Sequence, residues 1–178
     1  FGASTPDDSF WKTALRRCLK NRKALGFPGN NTTTFRLVHG EGDGLPGLII
    51  DIYGSVAVVQ CHSTGMFTER QLIADALIDC AGDFIARVYD KSAESLGNTS
   101  GNGWLAGSGS GEEICIENSL RFKVDFATGQ KTGFFIDQRD NRALLQQYAQ
   151  GKKVLNRSEE HTSELQSPCN LVCRLLLE

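Results

Sequence analysis

The residues best suited to chemistry in this 178-residue chain concentrate in one stretch, GQKTGFFIDQRDNR at 129–142. Two glycines bracket a turn, and two phenylalanines come next. An acid, Asp137, then precedes a helical pattern whose first turns carry Arg139 and Arg142. Lys131, Arg139 and Arg142 could meet an anion, Thr132 and Gln138 offer hydrogen bonds, and Phe134 or Phe135 could stack on a flat ring. The same residues equally describe a helix capped by Asp137 over a buried Phe pair. Residue types alone leave both readings open.

Other candidates carry less. GDGLPG at 42–47 has the glycine spacing of a dinucleotide-binding loop, but that chemistry needs a helix to start inside the motif. The next residues, LIIDIYG, alternate as a strand does, so a tight turn between strands is expected. His39 and His62 fall on strands with no ligand partners nearby in sequence. Cys18, Cys61, Cys80 and Cys115 occupy apolar positions without C-x-x-C spacing, as reduced core thiols of a cytoplasmic protein would. The sequons at Asn30, Asn31 and Asn98 would matter only in a secreted protein, and no signal-peptide pattern is present.

Charge is distributed unevenly. Between Ser9 and Gly40 stand seven basic residues and no Asp or Glu. A helix capped by Asp8 or Ser9 and running to about Leu25 would turn Trp11, Ala14, Leu15, Cys18 and Leu25 to one face. Lys12, Arg16, Lys20 and Lys23 would line the other. That stripe is either a solvated helix face or a phosphate-facing patch for RNA.

These residues need a scaffold. At 40% hydrophobic and 22% charged, with net charge -2, the composition excludes collagen, coiled coil, a wholly disordered tail and a strongly basic nucleic-acid binder. No stretch has the roughly 20 apolar residues of a membrane span. After the turn-rich FPGNNTTT (27–34), strands are expected at 35–39, 48–54 and 55–62 as an antiparallel meander. An amphipathic helix is expected at 66–82, with Phe67, Leu72, Ala76, Leu77 and Cys80 inward and Gly82 at its end. A strand is expected next at 84–90, then a glycine-rich flexible loop at 96–111, and a hairpin at 113–126 turning on Asn118-Ser119. A helix from about Gln138 to Gln150 and a strand start at 152–156 complete the pattern. The expected class is α/β: a central domain of antiparallel strands with a helix, then the start of a parallel, Rossmann-like unit. The ordered unit is expected over about 35–126, with the helix at 138–150 weakly held.

GQKTGFFIDQRDNR followed by KKVLN resembles the entry to the catalytic domain of class I S-adenosylmethionine-dependent ribosomal RNA methyltransferases. The similar branch has an N-terminal PUA domain, a small central α/β domain and a C-terminal Rossmann-like domain. FRLVHGEGDGLPGLIIDIYG is similar to the start of that central domain, and ENSLRFKVDF to the hairpin leading into the catalytic one. The resemblance implies that residues 1–8 are a PUA remnant or linker, and 9–34 a linker helix and turn. It makes 35–126 the central domain and 127–156 the start of the catalytic domain. It implies S-adenosylmethionine as cofactor, with Lys131, Thr132, Gly133, Phe134, Asp137, Gln138 and Arg139 on the cofactor side. Asn156 would end the first strand at the crevice where open α/β sheets bind ligands. Large-subunit ribosomal RNA would be the partner, and C5 of cytosine the methyl acceptor, attacked at C6 by a cysteine much later in the family pattern. N2 of guanine is the second expectation, and a non-catalytic RNA-binding module the third. No residue pattern indicates the oligomeric state.

The family pattern continues after VLN with an aromatic, glycine-rich turn. This chain instead reads RSEEHTSELQSPCNLVCRLLLE at 157–178, which resembles a translated sequencing adapter and is expected to be an assembly artefact. His161, Cys169 and Cys173, which could otherwise be offered as metal ligands, lie in it, so no metal is expected. Without these residues positive and negative charges balance. With Met66 the one methionine, the chain is expected to be an internal, inactive slice of a larger enzyme.

Overall fold

The computed structural model describes residues 6–97 and 101–152. Its centre is a five-stranded sheet in the order β1-β2-β3-β4-β5, formed by Thr34–His39, Leu48–Tyr53, Val56–Cys61, Arg87–Asp90 and Gly103–Ala106. Helices α1 (Asp8–Ala24) and α3 (Arg70–Ala81) cover one face. The hairpin β6–β7 (Glu112–Glu117 and Leu120–Asp125) and the chain just after it cover the other. The mixed α/β class agrees with the sequence expectation.

Strands β2 and β3 are mostly apolar because both faces are buried. Ile50, Ile52, Ala57 and Val59 meet the helices, while Tyr53, Val56 and Val58 meet the hairpin layer. Two polar residues interrupt the run: Gln60 near the end of β3, and Asp51, fully buried at the middle of β2.

α1 is built by an i, i+3, i+4, i+7, i+8 pattern. Trp11, Ala14, Leu15, Cys18 and Leu19 are all buried in the main core, so the helix read as a linker packs on the sheet and on α3. Its cap is Asp7, which accepts from the Phe10 backbone N–H at 2.9 Å, one residue ahead of the expected Asp8 or Ser9. Leu25, expected inward, is 69% exposed because the helix ends at Ala24 and the chain turns away at Gly26.

Four further expectations need correction. β1, β2 and β3 pair as the expected antiparallel meander, but β4 runs parallel to β3, so the central domain is not wholly antiparallel: a parallel pair requires a crossover, and the helices between them supply it. The helix expected over 66–82 is two, α2 (Thr64–Thr68) and α3, broken at Glu69. Within α3 Ala76 and Leu77 are buried as expected, while Ile73 and Ala81 take the buried flank in place of Leu72 and Cys80. The glycine-rich loop contains strand β5, paired antiparallel with β4. Trp104 there packs edge-on against Tyr89 and Phe126, giving the short strand an anchor that glycine content conceals. Finally, order extends past 126, since Thr132 and Phe134 are buried.

The hairpin turns on Asn118 and Ser119 as expected, both left-handed with φ of 50° and 69°. A short helix, α4 (Ala93–Leu96), comes after β4, and α5 (Arg139–Ala149) ends the described chain. GDGLPG lies in the 3-10 turn at 40–43 and the connection to β2, with no α-helix in the motif. No helix of the described residues is long and apolar enough to cross a membrane.

Cys18, Cys61 and Cys115 are buried free thiols, and Cys80 is half-buried. Burial pushes Cys61 up to about 11 and Cys115 up to about 12, and raises Cys18 and Cys80 as well. A thiol alkylates as its thiolate. In the native chain at pH 8, iodoacetamide should therefore modify Cys80 first among these four, as read by peptide mass mapping. Equal labelling of Cys115 would contradict this packing.

Candidate functional site

The 129–142 segment folds as a strap across the hairpin face of the sheet. Its two bracketing glycines are required by packing. Gly133 has φ of +113°, and a Cβ there would stand 2.7 Å from both the Asp125 carbonyl oxygen and the Phe126 Cα. A Cβ at Gly129 would stand 2.3 Å from the same carbonyl. The turn thus presses directly on the end of β7, and the Gly133 N–H donates to Gln130 O at 2.8 Å. From beneath, the fully buried Lys91 donates its Nζ to Gly129 O. Burial lowers the Lys91 pKa.

Thr132 is 1% exposed and donates Oγ1 to Asp51 Oδ2 at 2.6 Å. A hydroxyl has one proton, so Thr132 accepts from the Tyr53 hydroxyl at 2.8 Å. Burial, and then the Asp51 charge, push the Tyr53 pKa well up. Asp51 also receives both arms of Arg36, which lies directly opposite on β1, at 2.8 and 2.9 Å. Phe134 is buried against Phe122 and beneath the Arg142 guanidinium, 4.2 Å from its ring centre. Phe135 is half-buried and is covered by Lys131, whose Nζ lies 4.5 Å from the ring centre.

The anion reading of the two arginines is answered inside the protein. Glu117, 1% exposed at the end of β6, accepts from Arg142 Nε at 2.7 Å and Nη2 at 2.8 Å. Arg139 donates to Glu117 at 3.4 Å and to Thr34 O at 2.6 Å. Arg142 closes the strap with a third bond to Phe135 O at 2.8 Å. Asp137 does not cap α5, because residues 136–138 form a 3-10 turn before it.

Of the expected cofactor-side residues, Thr132, Phe134 and Arg139 are thus spent on holding the strap, and Gly133 on its turn. Lys131, Asp137 and Gln138 remain exposed. Asn156 and the candidate ligands His161, Cys169 and Cys173 lie outside the described residues. In the basic stripe, Arg16, Lys20 and Lys23 are exposed. Lys12 instead pairs with Asp8 at 2.7 Å and Asp79 at 2.6 Å. Sequence reasoning missed Asp51, Glu117 and Lys91. An acid centred in LIIDIY was the available signal for the first.

Removing one partner of a buried ion pair leaves an uncompensated charge, at about 3–5 kcal/mol. Asp51→Ala should lose that much in urea unfolding, and Arg36→Met with Asp51→Leu should recover most of it. Glu117→Gln should speed hydrogen exchange in 134–149 more than in β1–β3. Uniform exchange across the chain would show that the arginines do not hold the strap.

Residues 85–163 match the family model described as S-adenosylmethionine-dependent methyltransferase. The chain is 38% identical over 154 residues to "Ribosomal RNA large subunit methyltransferase I" of Alteromonas mediterranea, covering 84% of this chain and 38% of that protein. It is 34% identical over 161 residues to "Ribosomal RNA large subunit methyltransferase" of Deinococcus radiodurans, covering 84% and 39%. It therefore spans under two fifths of the length of these relatives. In fold it resembles a Streptococcus mutans protein described as a SAM-dependent methyltransferase, with TM-score 0.70 and 21% identity over 84% of this chain and 38% of that one. A second solved structure, described as a methyltransferase complexed with SAH, gives TM-score 0.68 and 23% identity over 82% and 37%. At these identities the structures speak for the fold alone. The chain is thus similar over most of its length to large-subunit ribosomal RNA methyltransferases, and its residues 85–163 match the S-adenosylmethionine-dependent methyltransferase family.

Proposed function

We propose that this chain is the central domain and the first catalytic elements of an enzyme that methylates C5 of a cytosine in large-subunit ribosomal RNA, in the branch carrying a PUA domain. Residues 35–126, with the helix and turn of 9–34, form the support. Residues 127–156 begin the catalytic unit, and 1–8 are what remains of the preceding domain. Residues 157–178 are foreign to the enzyme. The protein acts in the cytoplasm, where reduced thiols and ribosomal RNA coexist.

The observation that carries this reading is the division of labour along the strap. Its inward residues fasten it to Asp51 and Glu117, and its outward residues Lys131, Asp137 and Gln138 stay exposed, with Lys131 over the Phe135 ring and Gln138 accepting from Asn141 Nδ2 at 2.5 Å. Those three suit S-adenosylmethionine chemically. Lys131 can pair with the methionine carboxylate, Asp137 can accept from ribose hydroxyls or the ammonium group, and Gln138 can do either. In this reading they line one side of the cofactor site, which the later part of the family pattern completes. S-adenosylmethionine, when bound, supplies an activated methyl group on a sulfonium. The strap's part is to hold its wall rigid, since a mobile binding residue loses orientation and rate together.

A C5 mechanism also needs a cysteine thiolate as nucleophile. Burial raises all four described thiols. Such thiols suit a core rather than a nucleophile, and this reading assigns the nucleophile to the later part of the family pattern.

The test is methyl transfer by a chain extended to the length of the relatives. With labelled S-adenosylmethionine and unmodified large-subunit RNA, nucleoside mass spectrometry should find 5-methylcytidine. N2-methylguanosine would replace the base assignment, and no incorporation would refute the enzyme. In that chain Asp137→Asn should raise KM for S-adenosylmethionine about tenfold, the value of one charge-assisted hydrogen bond.

A further inference from the structure

The outward side of α1 carries charge that the described fold does not use. Arg16, Lys20 and Lys23 are exposed and make no ion pair among the described residues. Arg17 joins them. Its Nη2 donates to the backbone carbonyl of Asp43 at 2.5 Å, which holds the guanidinium in place without cancelling its charge. The Asp43 carboxylate is turned inward, where it accepts from Arg22 Nη2 at 2.6 Å and the His39 N–H at 2.7 Å. Exposed Glu41, on the same 3-10 turn, is the opposing charge at this end. At the other end Asp8 and Asp79 are occupied by Lys12.

An open groove runs between α1 and the 3-10 turn, lined by Arg17, Asn21, Gly42, Asp43 and Gly44. Gly44 has φ of +72°, and a Cβ there would stand 3.2 Å from Arg17 Nη2, so glycine permits this close approach. From Arg16 to Lys23 the row of cations is about 10 Å long at the helical rise. It therefore offers a line of positive charge beside a polar cleft. Aromatic side chains are missing from its surface among the described residues: Trp11 is buried, and the exposed aromatic, Tyr148, lies on α5. Such a surface can hold phosphates but has no platform on which to stack bases.

We infer that α1 and its groove are a sequence-independent contact for the phosphate backbone of RNA, with Arg16, Arg17, Lys20 and Lys23 as the cations. The choice of RNA among polyanions rests on the function proposed above. Relative to the stripe read from the sequence, Lys12 leaves the set and Arg17 enters it. Substrate discrimination then belongs to other parts of the enzyme, and this surface supplies affinity and orientation.

The test titrates the chain as it stands with two labelled RNAs of unrelated sequence, by fluorescence anisotropy over a salt series. The variant Arg16→Gln/Arg17→Gln/Lys20→Gln/Lys23→Gln alters outward residues and should keep the native melting curve. It should bind both RNAs about tenfold or more weakly, and the slope of log affinity against log salt should fall by about 2–3. If that variant melts early, Lys20→Gln and Lys23→Gln singly should each lower the slope by about 0.7. Arg121→Gln, exposed on β7, should bind as the parent does. Unchanged affinity and slope would overturn the inference, and so would a loss confined to one RNA. Polyglutamate competing as well as RNA at equal charge would assign the surface to acidic proteins instead and would also overturn it. The outcome is separable from the enzymatic reading. In the extended chain, RNA binding that depends on these cations without methyl transfer would sink only the enzyme. Methyl transfer with these cations irrelevant to RNA affinity would sink only this surface.

Discussion

A carboxylate sits at the centre of an otherwise apolar strand, and the hairpin face of the sheet is organised around keeping it satisfied. Asp51 is fully buried between Ile50 and Ile52. Left alone there it would be more costly than any single apolar contact in the layer could offset. Two partners answer it. Arg36 arrives from the neighbouring strand in register, with the planar fork that fits a carboxylate. Thr132 arrives from 81 residues further on and brings the Tyr53 hydroxyl into the same chain of hydrogen bonds. The second partner couples the sheet to the strap: the face is complete only when the strap is seated.

Glu117 repeats the logic at the other end. It closes β6 at the hairpin turn, is almost fully buried, and collects both strap arginines. The aromatic layer fills the space between the two carboxylates, with Phe134 held between Phe122 and the Arg142 guanidinium. Lys91 fastens the turn from below. A strap fixed at three places by charge-assisted bonds has little freedom in its backbone. Its outward residues inherit that rigidity, as a binding wall requires.

Much of this was legible from residue order. The period-2 strands, the α1 stripe, the Asn118-Ser119 turn and the dismissal of GDGLPG as a nucleotide loop all rest on local patterns, and local patterns fix local geometry. The features that escaped share one cause. The parallel crossing of β4, the pairing of β5 and the destinations of Arg139, Arg142 and Thr132 depend on contacts between residues far apart in sequence. No spacing rule reaches across 81 or 105 residues. In α3 the wheel placed Ala76 and Leu77 correctly and missed Ile73 and Ala81, because which flank of an apolar face is buried depends on the neighbour it packs against.

By itself the sequence determined most of the element types, most of the apolar faces and the strap's resemblance to a methyltransferase family, because each rests on neighbouring residues or on an ordered motif. Only the tertiary structure decided what the strap's residues do. An arginine, a threonine and a phenylalanine that could each serve a ligand are drawn instead to two buried carboxylates and an aromatic layer. Burial makes an unpaired charge so costly that it takes its partners from wherever the chain can deliver them.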